Sequence, residues 1–312
     1  MKNKILITGG AGYIGSVLVE HLLASSYEVT VIDNFRYKQN SLGHLYVNKK
    51  LSVFNADVLN FDHYKEYLHN HEIIIPLAAL VGAPLCRSQP ELSQLINCTV
   101  VKKLIDYCGD SKKIIMPTTN SAYGSGNENN FCDENSELKP ISEYAVEKVE
   151  LEKYLMQNSN AISLRLATVF GSSSRMRTDL LVNDFVRRAI NDRSLVLFEP
   201  HFKRNYIHIQ DVARAFIHSI KNWNTMKNQI YNLGLEDANL SKLELCQKIN
   251  QHINDFEFFI SDNGKDPDQR NYIVSNKKII STGFKTNFTI DDGIQELIKF
   301  YKSVSTNRFS NI

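Results

Sequence analysis

Along the first 170 residues, short apolar runs alternate with longer stretches that are apolar on one side only. The short runs, rich in Val and Ile, predict buried strands, and the longer stretches predict helices that cover them. The predicted strands are Lys4–Thr8, Glu28–Ile32, Leu51–Phe54, Ile73–Ala79, Lys113–Met116 and Ala161–Leu166. The predicted helices are Tyr13–Leu23, Phe61–Leu68, Glu91–Cys108 and Ser142–Leu155. This alternation indicates an α/β fold with a parallel sheet covered by helices on both faces.

After Gly171 the alternation becomes less regular, which predicts a second, smaller α/β lobe. A chain of 312 residues is long for one compact core. A helix at Asp211–Ile220 and a strand at Gln229–Leu233 resume the first pattern and are predicted to return to the sheet. The first domain therefore covers 1–170 with 209–235, and the second lobe covers 171–208 and 236–312. Seven arginines supply cations to the second part of the chain, namely Arg175, Arg177, Arg187, Arg188, Arg193, Arg204 and Arg270.

A glycine cluster stands between the first predicted strand and the first predicted helix. Gly9 permits a tight turn, Gly12 leaves room for a pyrophosphate, and Gly15 lets the helix pack close to the strand. The helix then faces the phosphates with its unpaired N–H groups. Asp33 ends the second strand, where a carboxylate accepts hydrogen bonds from the adenosine ribose and repels a 2′-phosphate. The pattern predicts a Rossmann-type, doubly wound domain that binds NAD rather than NADP.

Charge and cysteine content exclude several classes of function. The net charge is +2 and no Lys/Arg run is long enough to bind nucleic acid or an anionic membrane. The five cysteines are scattered without metal-ligand spacing, and the first strand begins too early for a signal peptide. His69 and His71 lack a further ligand at coordinating spacing, so no metal site is predicted. We expect a soluble cytoplasmic protein.

Tyr144 and Lys148 lie four residues apart and therefore on one face of a predicted helix. A tyrosine can act as a base at neutral pH only when nearby cations lower its pKa from about 10. Tyr46 and Lys50 have the same spacing, but they follow the ribose-binding Asp33. Tyr144 follows the fifth strand, where the nicotinamide of a dinucleotide would lie. The position favours Tyr144 with Lys148 as the chemically active pair.

Several motifs, taken in this order, resemble one known family. They are TGGAGYIG from Thr8, Asp33, Asp57-Val58, the stretch from Thr119 to Gly124, YxxxK at Tyr144, and RNYIHIQD from Arg204. Together they resemble the extended short-chain dehydrogenase/reductase family of NAD-dependent nucleotide-sugar epimerases and dehydratases. The resemblance covers essentially the whole chain. The runs Leu77–Cys86 and Phe170–Phe185 are similar to those of the GDP-heptose 4-dehydrogenases of capsule heptose synthesis.

The resemblance implies a role for each matching residue. Thr119 would hydrogen-bond the sugar hydroxyl that is oxidised, Tyr144 would take its proton, and Lys148 would hold the nicotinamide ribose and lower the Tyr144 pKa. The implied cofactor-binding residues are Gly9, Gly12, Tyr13, Ile14, Gly15, Asp33, Asn34, Asp57, Val58, Leu77, Ala78, Ala79, Asn97, Tyr144 and Lys148. The implied substrate-binding residues are Thr119, Asn183, Arg204 and Arg270. The two arginines would clamp the diphosphate.

Departures from the family pattern reduce the number of reactions that fit this sequence. In 4,6-dehydratases, Asp and Glu follow the Thr, whereas Asn120 and Ser121 stand here and cannot serve as general acid and base. Thr168 replaces an Asn that many epimerases carry. The resemblance therefore favours NAD-dependent oxidation of carbon 4 of a nucleotide-diphosphate sugar, above all GDP-D-glycero-D-manno-heptose, to the 4-keto sugar.

Two other functions stay open on the sequence. A 4-epimerase would keep the 4-keto sugar bound, rotate it and return the hydride. A regulatory protein would only sense NAD or a nucleotide sugar. Whatever the function, we expect a homodimer. The long helices Glu91–Cys108 and Ser142–Leu155 resemble those that pair across a homodimer interface in this family.

Overall fold

The computed structural model describes residues 3–124, 131–264 and 270–304. The strands are β1 Lys4–Thr8, β2 Glu28–Asp33, β3 Leu51–Asn55, β4 Ile73–Pro76, β5 Lys113–Thr119, β6 Asn160–Leu166, β7 Thr168–Phe170, β8 Ser194–Leu197, β9 Lys203–His208, β10 Gln229–Leu233, β11 Asn239–Ser241 and β12 Glu257–Ile260. The α-helices are α1 Tyr13–Ala24, α2 Lys65–His69, α3 Ala83–Ser88, α4 Pro90–Gln94, α5 Val100–Cys108, α6 Glu143–Asn158, α7 Leu181–Asn191, α8 Ile209–Lys221, α9 Trp223–Met226, α10 Lys242–His252, α11 Lys277–Ser281 and α12 Ile290–Ser303.

A seven-stranded sheet has the order β10-β6-β5-β4-β1-β2-β3. All of its neighbouring strands pair in parallel. The order reverses at β1, and ligands bind outside the carboxyl ends of the strands at such a point. The predicted doubly wound parallel sheet is confirmed, and β10 joins β6 as the returning strand.

The large sheet is apolar on both faces, which produces two separate cores. In β1, Ile5 and Ile7 face one core while Leu6 faces the other, because side chains alternate along a strand. Helices α1 and α8 cover the first face, with Leu18 and Phe216 among their buried residues. Helices α5 and α6 cover the second face. Because both faces of these strands are buried, their sequences are continuous apolar runs rather than alternating ones.

Three predicted elements differ in detail from the structure. The helix predicted over Glu91–Cys108 is α4 and α5 joined by a π-helical turn at Leu95–Thr99. The strand predicted over Ile73–Ala79 ends at Pro76, so the small residues after it lie in a loop. The helix predicted from Phe61 begins as a 3₁₀ turn at Phe61–His63 before α2. Apolar spacing alone does not distinguish these variants of a helix or a strand end.

The second lobe contains two small sheets, with the orders β11-β9-β7 and β12-β8. Strand β7 already belongs to the first of these, so the chain leaves the large sheet at Leu166, shortly before the boundary predicted at 170. Helices α7, α10 and α12 pack against one another in this lobe. Within residues 3–124, 131–264 and 270–304, no helix combines the length and apolar character needed to cross a bilayer.

Candidate active site

A cleft of about 780 Å³ opens at the carboxyl ends of the first strands of the large sheet. Its walls include Gly9, Ala11, Gly12, Asp33, Asn34, Tyr37, Asp57, Val58, Leu77, Ala78, Ala79 and Arg175. A cleft at this end of a doubly wound sheet lies where dinucleotides bind. Nine of the residues that the sequence assigned to the cofactor therefore line one cleft, with Asn34 exposed at its rim.

The glycine turn has the geometry that a dinucleotide-binding turn needs. Gly9 has a φ of +73°, a left-handed conformation that favours glycine. A Cβ atom on Gly15 would lie 2.5 Å from the Gly9 carbonyl oxygen, so only glycine lets α1 approach the turn this closely. Helix α1 begins after Gly12 without a side-chain cap from the described residues. Its first N–H groups are thus directed toward the place where a pyrophosphate would bind.

Asp33 is held at the end of β2 by two backbone donors. Ala11 N donates to Oδ2 at 2.9 Å and Phe35 N donates to Oδ1 at 2.8 Å. Burial raises the pKa of the Asp33 carboxyl, while these two N–H groups act in the opposite direction. Beside it, Asn34 Nδ2 donates to Asp57 Oδ2 at 2.9 Å. The carboxylate is therefore fixed before any ribose binds.

Two side chains that the resemblance assigned to ligands instead join the two lobes. The Tyr13 hydroxyl donates to Gly171 O at 2.8 Å and accepts from Asn183 Nδ2 at 3.2 Å. Asn183 is fully buried, and its amide also binds Arg177 O and Gly171 N. The Asn183 amide and the Tyr13 hydroxyl are thus both engaged in bonds within the protein. Both are used in packing the second lobe onto α1.

Asn97, which the resemblance places along the cofactor, is bonded within the protein to the loop after β4. Its side chain is fully buried, accepts from Leu80 N at 2.8 Å and donates to Leu80 O at 3.0 Å. It further donates to Ser93 Oγ and to Glu147 Oε2. Asn97 therefore braces the loop after β4 from behind, and the loop rather than the amide faces the cleft.

Tyr144 and Lys148 lie on the first turns of α6, which is capped by Ser142 through a bond from Ala145 N. The Lys148 Nζ atom lies 5.9 Å from the centre of the Tyr144 ring. Burial raises the pKa of Tyr144 to about 12, while the charges of Arg177 and Arg270 lower it. Burial lowers the pKa of Lys148. The groups of the protein therefore do not lower the Tyr144 pKa by themselves, and the positive charge of an oxidised nicotinamide would be needed in addition.

Thr119 ends β5 and caps the short turn that follows it. Its hydroxyl accepts from Ser121 N at 3.1 Å and donates to Ser121 Oγ at 2.9 Å. The same Ser121 hydroxyl accepts a bond from Arg270 Nη1 of the second lobe. Because Arg270 also acts on Tyr144, the structure brings Thr119, Ser121, Arg270 and Tyr144 to one site.

Asn120 stands between Thr119 and Ser121 and is completely buried. Within the described parts of the chain, neither its amide nitrogen nor its amide oxygen has a hydrogen-bond partner. An unbonded buried amide costs about 1–3 kcal/mol, so a partner for Asn120 from outside the described residues is expected. The sequence showed only that Asn120 is not an acid.

Arg204 lies in β9 and is 4% exposed. Burial raises the pKa of the neighbouring Tyr206, and the charges of both Arg204 and Arg270 lower it. Two cations from separate segments of the second lobe thus converge on one buried region. Sequence reasoning assigned no role to the Arg177 charge or the Ser121 hydroxyl, although both residues stand within the motifs, because their contacts are with distant parts of the chain.

The sequence matches the model of an NAD-dependent family. Residues 5–234 match the profile of the NAD dependent epimerase/dehydratase family. A UDP-N-acetyl-alpha-D-glucosaminuronate decarboxylase of Bacillus cytotoxicus is 23% identical, over 98% of this chain and 100% of the relative. This relative is named as a decarboxylase, so relatives that align over their full length are not all epimerases or dehydratases.

Two crystal structures show the same fold. The UDP-glucuronic acid 4-epimerase of Bacillus cereus, solved with UDP-glucuronic acid and NAD, aligns with a TM-score of 0.85 at 23% identity, over 96% of this chain and 99% of that one. The UDP-glucose 4-epimerase of Thermus thermophilus, solved with NAD, aligns with a TM-score of 0.82 at 22% identity, over 97% of this chain and 100% of that one.

The glycine turn, the open N-terminus of α1 and the fixed Asp33 carboxylate are features that fit NAD. They lie within the matched range, which covers most of the chain. The chain therefore belongs to the NAD dependent epimerase/dehydratase family, and it is an enzyme whose cofactor is NAD.

Proposed function

We propose that this enzyme oxidises carbon 4 of a nucleotide-diphosphate sugar and releases the 4-keto sugar. The observation that carries the proposal is the turn Thr119-Asn120-Ser121, which offers a hydroxyl and an amide to a sugar but no carboxyl group for eliminating water. The runs Leu77–Cys86 and Phe170–Phe185 support GDP-D-glycero-D-manno-heptose as the substrate. The reaction would then serve the synthesis of a capsule or another surface polysaccharide.

The site divides the work among a few side chains. Tyr144 takes the proton of the 4-hydroxyl, and Thr119 orients that hydroxyl through its own. Arg204 and Arg270 offset the charge of the diphosphate. Lys148 holds the nicotinamide ribose, and bound NAD supplies the hydride acceptor. Because burial holds the Tyr144 pKa high, the positive charge of the oxidised cofactor is needed beside Lys148, Arg177 and Arg270.

Asn120 would bind a further hydroxyl of the sugar. In the 4,6-dehydratases that the sequence resembles, an Asp stands at this position and acts on a leaving hydroxyl of the sugar. A heptose carries an additional hydroxylated carbon, which gives a buried amide both a donor and an acceptor to bind. This assignment explains why a fully buried side chain has no partner among the described residues.

The reaction is tested by incubating the purified protein with NAD and GDP-heptose. We expect NADH to form together with a nucleotide sugar that lacks the hydride and the proton, as detected by absorbance and mass spectrometry. Parallel incubations with UDP-, dTDP- and other GDP-sugars measure the preference for base and sugar. Unchanged GDP-heptose, with NAD recycled by an added oxidising system, would contradict the proposal.

A 4-epimerase is the second candidate, and the two aligned crystal structures support it because both are named as 4-epimerases. An epimerase would interconvert two nucleotide sugars without net NADH. The same incubation decides between them, since a mass-neutral product would favour epimerisation and a lighter product would favour release of the ketone.

Replacing Tyr144 by Phe tests the base directly. We expect kcat to fall by about 10²–10⁴-fold, because general base catalysis contributes this much, while NAD binding persists. Tyr46→Phe is the matched control, since Tyr46 has a Lys at the same spacing but is 53% exposed outside the cleft. A protein that only senses NAD or a nucleotide sugar would keep its function in both variants.

A further inference from the structure

One wall of the NAD cleft comes from the second lobe. Arg175 follows β7 in the sequence, yet it lines the cleft together with Gly12 and Asp33. It is 3% exposed, whereas the other two cations of the cleft wall, Arg36 and Lys38, are exposed. Arg175 is thus the buried cation among the described residues of this wall.

The loop that carries Arg175 is fastened to the first turns of α1. The Ser173 hydroxyl donates to Tyr13 O at 2.8 Å, and it lies 2.9 Å from the Ser16 hydroxyl. The Tyr13 hydroxyl binds Gly171 O, as described above. These bonds involve only the protein, so the loop is held over the phosphate-binding end of α1 before a ligand arrives.

The guanidinium group of Arg175 is itself oriented by neighbours. Its central carbon lies 4.0 Å from the centre of the Tyr37 ring, and Nη1 donates to Met176 O at 2.5 Å. Burial lowers the pKa of Arg175, while Tyr37 and Asp33 are among the groups that act in the opposite direction. Since Tyr37 and Asp33 belong to the adenosine end of the cleft, Arg175 reaches that end from the opposite lobe.

We propose that Arg175 is a cofactor-binding residue that holds the adenosine diphosphate half of NAD, with its charge directed at the pyrophosphate. The N-terminus of α1 supplies only a partial positive charge, whereas the pyrophosphate carries two negative charges. A planar guanidinium can give paired, charge-assisted bonds to phosphate oxygens while its face rests on an aromatic ring. The inference rests on the NAD site that the proposed function uses, but not on the identity of the sugar.

The test measures NAD affinity by isothermal titration calorimetry without any nucleotide sugar. Arg175→Ala and Arg175→Gln are compared with the wild type and with Arg188→Ala, a matched control on α7 outside the cleft wall. We expect both Arg175 variants to bind NAD at least about tenfold more weakly, as loss of a charge-assisted hydrogen bond implies. The control should stay within about twofold of the wild type.

The glutamine variant guards against a merely structural effect. Its amide can still donate to Met176 O and rest on Tyr37, so it decides the question if the alanine variant does not fold. Added NaCl should weaken NAD binding more steeply in the wild type than in Arg175→Gln, because only the wild type presents the charge. A folded Arg175→Gln protein with wild-type affinity, or with the wild-type salt dependence, would overturn the proposal.

The outcome is separate from the test of the proposed function. If the wild type binds NAD through Arg175 but leaves GDP-heptose unchanged, the substrate assignment fails and the role of Arg175 stands. If GDP-heptose is oxidised and Arg175→Gln binds NAD normally, the substrate assignment stands and the role of Arg175 fails.

Discussion

At the scale of single residues, the proposed reaction depends on how charged groups around Tyr144 change its proton affinity. Burial raises the pKa of Tyr144 to about 12, and Arg177 is the first of the cations that lower it. Arg177 is in turn paired with Asp179, at 2.6 Å between Nη2 and Oδ2. Because the phenol must lose its proton to act as a base, activity should rise with pH below its apparent pKa.

Two variants of this ion pair should move the pH profile in opposite directions. Arg177→Met removes a cation, so the Tyr144 pKa rises, the ascending limb of log kcat/KM moves to higher pH, and activity at pH 7 falls by up to about tenfold. Asp179→Asn leaves the cation unopposed and should move the limb to lower pH. The profiles are measured between about pH 6 and 10, a range that covers the ascending limb of a phenol. If the ascending limbs of both variants shifted in the same direction, this electrostatic assignment would be contradicted.

The sequence indicates which residues lie at this site better than it indicates what they touch. Gly9, Asp33 and Tyr144 could be placed because their positions relative to strands define the ends of a parallel sheet. Asn97 and Asn183 could not, since an amide bonded to a loop and an amide bonded to a ligand look alike in a sequence. The sequence could not suggest the role we propose for Arg175, because Tyr37 and the α1 contacts of its loop are distant along the chain.

At the scale of secondary-structure elements, one buried polar network holds the turn after β5 in place. Arg165 of β6 binds Glu152 of α6 at 2.7 Å, and both side chains are 4% exposed. Arg165 Nη1 also donates to the Tyr123 hydroxyl at 3.0 Å, and that hydroxyl donates to Asn232 of β10 at 2.7 Å. Thr118 of β5 donates to Glu152 at 2.8 Å. The turn that contains Thr119 is therefore fixed from both of its ends.

Breaking this network should cost far more than breaking an ion pair at the surface. Arg165→Met leaves the Glu152 charge buried without its partner, and we expect the free energy of unfolding to fall by about 3–5 kcal/mol. Arg193→Met is the matched control, because Arg193 and Asp255 are 70% and 73% exposed, and it should cost under about 1 kcal/mol. Urea denaturation measures both. Equal losses would show that the buried pair is dispensable.

Helices and strands could be predicted where the pattern of apolar residues is compatible with only one kind of element. The strands of the large sheet are continuous apolar runs, and each was located to within a few residues. The π-helical turn at Leu95–Thr99 was not, since it changes hydrogen bonding without changing which side of the helix is apolar. Strand β7 was not predicted as a separate strand, because it follows β6 after a single residue and carries the same kind of residues.

At the scale of the whole molecule, apolar side chains remain exposed on the helices that the sequence assigned to an interface. Leu95 and Val146 are 41% and 40% exposed, on the π-helical turn and on α6. Helices α5 and α6 pack side by side, so a second copy could cover both with one surface. We propose that the protein is a homodimer through this face.

A charge on this face should separate the subunits. Val146→Glu would place a carboxylate inside the interface, and we expect light scattering to report half the mass of the wild type. Val196→Glu is the control, because Val196 is 52% exposed on β8 of the second lobe and should leave the dimer intact. A monomeric wild type at working concentration would refute the dimer.

The position of β10 has a consequence for synthesis on the ribosome. Residues 229–233 complete the large sheet by pairing with β6, whose own residues are 160–166. Until that late segment has been translated, β6 exposes a row of unpaired backbone groups to neighbouring nascent chains. A fragment that stops near residue 170 keeps this edge permanently, so the first lobe expressed alone should aggregate, whereas a fragment that extends past Leu233 should remain dispersed.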